Sequence, residues 1–137
     1  MAVVLVDAGA LIALLDRSDQ NHQACLDVLS GMSDRLVTVW PALTEAMHLL
    51  SGAPRGQDAL FDMVEDDALE VAKLEDVDLR RMKTLMRKYR DLPMDFADAA
   101  LVRVAERERI HSIVTFDRHF RVYALPARAR FVVLPSG

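Results

Sequence analysis

A chain of 137 residues with 52% hydrophobic and 28% charged side chains has the length of one domain and enough apolar material for a core, which excludes a disordered, collagen-like or disulfide-stapled protein. Its lone cysteine, Cys25, cannot close an internal disulfide, no basic stretch precedes the first apolar run, and no apolar segment approaches the roughly 20 residues that span a bilayer, so a cytoplasmic protein without a membrane segment is expected. The net charge of −4 conceals a gradient, with 15 acidic and 4 basic residues up to Leu79 (−11) and 6 acidic and 13 basic from Arg80 onward (+7), which points to a polyanion-facing surface in the second half.

In chain order, residues 2–6 form a β-branched apolar run that ends at Asp7, the pattern of a strand buried on both faces. Apolar residues at three- and four-residue spacing then predict helices over 8–15 and 20–29, followed by a strand at 36–39. Helices over 42–50 and 57–64, a strand at 69–72, helices over 77–89 and 96–106 and strands at 113–116 and 131–134 complete the pattern. Pro41, Pro54 and Pro93 fall near expected helix starts. Strands alternating with helices predict a three-layer α/β/α sandwich around a central, mostly parallel sheet of about five strands, with residues 1–137 as one domain. In such folds ligands bind beyond the carboxyl ends of the strands, which directs attention to Asp7 and Asp117.

Several carboxylates sit in apolar surroundings. Asp7, between Val3-Val4-Leu5-Val6 and Ala8-Gly9-Ala10-Leu11, suits either a helix N-cap or a ligand. Glu45 lies in a helix of mainly small and apolar residues, where a solvent-facing stripe is the ordinary alternative. Asp95 and Asp98 are three apart on one helical face; Asp95 reads as the N-cap and Asp98, deeper in an apolar segment, as the functional acid. Asp117 closes the strand at 113–116, where an Asx turn would also explain it, and Thr115 shares its strand face. Four such acids would repel one another if they met without a cation, and an all-oxygen ligand set favours Mg²⁺ or Mn²⁺. His22, His48, His111 and His119 have no zinc-ligand spacing with Cys25.

These residues resemble the PIN-domain nucleases, and in particular the VapC-like toxins of bacterial toxin–antitoxin pairs. The resemblance rests on Asp7-Ala8-Gly9-Ala10-Leu11, Pro41-Ala42-Leu43-Thr44-Glu45-Ala46, Leu92-Pro93-Met94-Asp95-Phe96-Ala97-Asp98 and Thr115-Phe116-Asp117-Arg118-His119-Phe120, in this order and at these separations over essentially the whole chain. It implies an acidic quartet of Asp7, Glu45, Asp98 and Asp117, with Asp7, Asp98 and Asp117 as metal ligands and Asp95 and Thr115 as accessories. It further implies a Mg²⁺- or Mn²⁺-dependent endoribonuclease that leaves 5′-phosphate and 3′-hydroxyl ends, a homodimer, and a small antitoxin that blocks the site. Trp40, Leu43, Met47 and Phe61 are apolar candidates for the antitoxin contact, with core packing as the plainer reading.

The alternatives are an RNA-processing PIN nuclease that is not a toxin and a non-catalytic α/β binding module. A haloacid-dehalogenase phosphatase would carry a second aspartate where Gly9 stands, and a receiver domain would need paired acids after the first strand. Residues 80–90 hold six basic side chains and no acid, and Met82, Leu85, Met86 and Tyr89 form a stripe that turns the cations outward. Arg80, Arg81, Arg87 and Lys88 are therefore expected to contact RNA phosphates, because a pocket of four carboxylates repels RNA and needs compensating charge nearby.

Overall fold

The computed structural model describes residues 2–136. Five strands, β1 (Val3–Val6), β2 (Arg35–Val39), β3 (Glu70–Ala72), β4 (Ser112–Val114) and β5 (Val132–Leu134), form one all-parallel sheet in the order β3-β2-β1-β4-β5. The most apolar strand takes the middle, as a strand buried on both faces must, and Val4, Leu5 and Val6 are fully buried. Thr38, the one polar side chain facing this interior from β2, donates its hydroxyl to the Val6 carbonyl at 2.8 Å.

Six helices accompany the sheet: α1 (Ala8–Leu15), α2 (His22–Ser30), α3 (Trp40–Leu49), α4 (Pro54–Glu65), α5 (Asp76–Lys88) and α6 (Phe96–Glu108). With the right-handed crossovers of parallel sheets, the β1–β2 and β2–β3 connections carry α1 to α4 to one face, and the β3–β4 connection carries α5 and α6 to the other. α1 packs on α2, α3 and α4, and α5 packs on α6, while α3 also meets α6. This is the three-layer sandwich the sequence predicts.

Strand positions agree with expectation to within two residues, and so do the helix starts except that of α4, which opens three residues early. α3 and α4 open at Trp40 and Pro54, ahead of the expected 42 and 57, because Pro41 and Pro54 occupy first-turn positions where no backbone donor is needed. α4 approaches the end of α1 so closely that a Cβ on Gly56 would lie 2.9 Å from the Leu15 carbonyl oxygen. α5 and α6 are joined by charge as well as by apolar contact. Buried Asp78 accepts from Arg103 and Arg107, each at 2.7 Å, and from the Glu75 amide at 2.9 Å, while Arg81 forks onto Glu106 at 3.0 and 2.7 Å. Burial pushes the Asp78 carboxyl up, but the Glu75 and Arg103 hydrogen bonds and the two guanidinium charges reverse this and hold it below its ordinary value.

Candidate active site

Parallel strands present the ends of their backbones at one edge, and four acids reach that edge from four different segments. Asp7 stands at the end of β1 as N-cap of α1, and its Oδ1 accepts the Ala10 amide at 2.9 Å. The N-cap reading of Asp7 is met, with one oxygen capping the helix while the other faces Thr115. Thr115, buried one residue past β4, donates its hydroxyl to Asp7 Oδ2, and the same hydroxyl oxygen accepts the Asp117 amide at 3.0 Å. A single side chain thus links the ends of the two central strands. Asp117 Oδ1 accepts the His119 amide at 2.9 Å, the Asx turn foreseen in the sequence, and lies 3.2 Å from His119 Nδ1.

Asp98 sits in the first turn of α6, where Asp95 is the N-cap: Asp95 Oδ1 accepts the Asp98 amide at 2.7 Å and Asp98 Oδ2 accepts the Asp95 amide at 3.3 Å. This reciprocal box fixes the Asp98 side chain and leaves its carboxylate facing the same pocket as Asp95. Glu45 projects from the middle of α3 and is the most exposed of the quartet. Asp7, Glu45, Asp95, Asp98 and Asp117 together line one basin of about 320 Å³.

Burial raises the Asp7 carboxyl to about 6, against the hydrogen bonds from Thr115 and Ala10, and the charges of Asp117 and Glu45 add to the rise. Asp98 is pushed up to about 7, by burial first and then by Asp95 and Asp117. Glu45 is raised as well, by burial and by Asp95. What acts on these acids is desolvation and other carboxylates, the condition that a bound cation relieves. The donor set fits a hard, oxygen-seeking divalent ion. Among the described residues no three His, Cys, Asp or Glu side chains close into a ready-made cage, so an ion here would keep part of its water shell, as Mg²⁺ ordinarily does.

Sequence reasoning missed three residues here. Asp19 and Asn21, in the turn between α1 and α2, also line the basin, with the Asn21 amide donating to Asp19 Oδ1 at 2.8 Å. In the sequence they fall at the start of the helix expected over 20–29, and nothing there marks the site. Tyr123, fully buried, points its hydroxyl at Asp98 Oδ2 from 3.5 Å. Of the cations expected to contact RNA, Arg80, Arg87 and Lys88 are exposed on α5 and Arg81 is engaged by Glu106; none of the four lines the acidic basin.

The sequence profile of the PIN domain matches residues 4–125, which include all four acids. The chain belongs to the PIN domain family. This PIN domain is 29% identical over 136 residues to Ribonuclease VapC26 of Mycobacterium tuberculosis (strain ATCC 25618 / H37Rv), covering 96% of this chain and all of that relative. Its fold matches the crystal structure of Mycobacterium tuberculosis VapC20, a Sarcin-Ricin loop cleaving toxin, with a TM-score of 0.77 at 17% identity over 84% of this chain and 90% of the other. It also matches VapBC2 from Rickettsia felis, solved bound to a DNA fragment from their promoter, with a TM-score of 0.65 at 12% identity over 96% and 98% of the two chains.

Proposed function

We propose that this PIN domain is a divalent-metal-dependent endoribonuclease and the toxin of a toxin–antitoxin pair. The observation that carries the reading is the meeting of Asp7, Glu45, Asp98 and Asp117 from four separate segments in one basin at the carboxyl edge of the sheet. The names of the VapC26 and VapC20 relatives support it. Asp7, Asp98 and Asp117 would hold Mg²⁺ or Mn²⁺, which activates water and offsets the charge gathering on the phosphoryl group.

The chain's own groups do the rest. Thr115 and the Ala10 amide fix both oxygens of Asp7, and the Asp95 box fixes Asp98, so the ligands are oriented before RNA arrives. Glu45, exposed on α3 with its proton affinity raised, takes a proton from the attacking water as that oxygen bonds to phosphorus and the 3′ oxygen leaves. Cations of α5 offset the repulsion between the carboxylates and the RNA backbone.

An antitoxin and a second copy of the chain are the proposed partners, and the cytoplasm the proposed location. Trp40 and Phe61, each 57% exposed, offer an apolar face to the antitoxin; Leu43 is buried and Met47 half-buried, so those two belong mainly to the core. No helix of the described residues is long and apolar enough to cross a membrane. The test is cleavage of cellular RNA by the purified chain with Mg²⁺, with Mn²⁺ and with excess EDTA, beside Asp7→Asn, followed by sequencing of the ends. Cleavage restricted to the metal-containing wild type, leaving 5′-phosphates, is the expected result, and equal cleavage in EDTA overturns it.

A further inference from the structure

The six basic residues between 80 and 90 do not act as one group. Arg81 is occupied by Glu106, and the Lys88 ammonium lies 5.1 Å from the centroid of the Tyr89 ring. The other four, Arg80, Lys83, Arg87 and Arg90, recur at intervals of three, four and three residues and so share one side of α5 and its continuation. Among the described residues none of these four has a carboxylate partner. They line a groove of about 620 Å³ together with apolar residues that include Met82, Met86, Met94 and Phe96.

Phe96 opens α6 and is 48% exposed, and its neighbours Asp95 and Ala97 line the acidic basin. Basin and groove therefore share the N-terminal turn of α6 as a common wall. An occupant has to satisfy unpaired cations and an apolar floor at once, and a single-stranded polynucleotide does so, with phosphates along the rim and a flat base against the floor. A second copy related by a two-fold axis through this groove would bring the unpaired cations of both chains to one interface, and the groove lining holds no carboxylate to offset them. Continuity with a basin that acts on phosphodiesters favours the polynucleotide over an acidic polypeptide.

Resting on the ribonuclease reading above, we infer that a single-stranded stretch of the RNA substrate runs from the acidic basin into this groove, with its phosphates on Arg80, Lys83, Arg87 and Arg90 and one base stacked on Phe96. Arg80 to Arg87 spans about 10 Å of helix, with Arg90 in the turn beyond it, which gives room for a short run of nucleotides and confines base contact to one place. The groove thereby selects for an unpaired base beside the cleavage point.

The test measures binding of a short fluorescein-labelled mixed-sequence RNA to the full Asp7→Asn chain in EDTA, by anisotropy over a range of salt, and repeats it with RNAs carrying one abasic position stepped along the strand. Adding Phe96→Ala, a truncation at an exposed position, weakens binding about fivefold or more, and one abasic position erases that difference. Adding Lys83→Gln with Arg87→Gln lowers the slope of log affinity against log salt by about 1.4, two phosphates at roughly 0.7 each. The inference is overturned if Phe96→Ala weakens binding equally for intact and all abasic RNAs or not at all, or if the slope is unchanged. It is also overturned if Phe96→Ala turns a dimer into a monomer in light scattering while RNA affinity holds, or if poly-L-glutamate occupies the groove and RNA does not compete. A wild-type chain that cuts no RNA while the base-dependent Phe96 effect persists refutes the ribonuclease reading and leaves the groove; cleavage without the Phe96 effect does the reverse.

Discussion

Asp7→Asn should make the metal-free protein more stable while removing its activity. In the folded chain burial raises Asp7 to about 6 from an ordinary 3.8, so the native state holds this proton more tightly than the unfolded state does. The contribution of Asp7 to stability is fully present below about pH 4, falls as pH rises through 6, and above pH 7 the ionised carboxylate opposes folding by about 3 kcal/mol, some 2 pK units at 1.36 kcal/mol each. Asparagine carries no charge and is as good an N-cap as aspartate, so its oxygen keeps the Ala10 amide. Its amide group suits the Thr115 hydroxyl less well than a carboxylate does, which returns about 1 kcal/mol and leaves a net gain of about 2. For a domain of this size that is a rise in Tm of about 6 °C. Urea and thermal unfolding of both chains in EDTA at pH 8 and pH 4.5 should show the gain at pH 8 and its near disappearance at pH 4.5. If Asp7 is a metal ligand as proposed, saturating Mg²⁺ should then raise the wild type past the variant. An Asp7→Asn chain no more stable than wild type at pH 8 in EDTA, or one whose gain is the same at both pH values, refutes the reasoning.

Thr115→Val keeps the side-chain shape but strands the Asp117 amide and frees Asp7 Oδ2, so a loss of about 1–3 kcal/mol in urea titration and a fall in RNA cleavage out of proportion to it are expected. Asp78→Ala leaves Arg103 and Arg107 facing each other across a half-buried gap and should cost about 3 kcal/mol, measured by thermal unfolding at pH 7. Because the folded-state carboxyl of Asp78 is held low, its contribution is present above pH 4 and shrinks on acidification, so the wild-type and Asp78→Ala curves should converge as pH falls below 4. Gly56→Ala improves local helix propensity yet drives a methyl against the Leu15 carbonyl oxygen, and calorimetry should find a net destabilisation of about 1–3 kcal/mol.

Where pattern and burial coincide, the chain discloses itself. The β-branched run of β1 could only be a strand covered on both faces, and Asp98 stood out because α6 buries Ala97, Ala99, Ala100, Leu101 and Val102 around it. Asp95 is readable as a cap from its place ahead of an apolar run, whereas its reciprocal bond to Asp98 appears only in the structure. The basic segment shows the limit. Its apolar stripe is visible in the sequence, but Arg81 differs from Arg80 only through Glu106, 25 residues away on a helix whose facing is decided by tertiary packing. The contribution of Asp19 and Asn21 is hidden for the same reason: which basin they line is decided by packing against segments far away in the chain.

The hydrogen bond between Thr115 and Asp7 joins residues 108 apart and ties the end of the first strand made to the end of the fourth. During synthesis, at roughly 5–20 residues per second, Asp7 is made about 5–20 seconds before its partner. Until β4 has been made, β1 has no neighbour on that side, Asp117 does not exist and the acidic basin has no second wall. The basin therefore cannot assemble until the stretch through Asp117 has been made, however early its first acid appears.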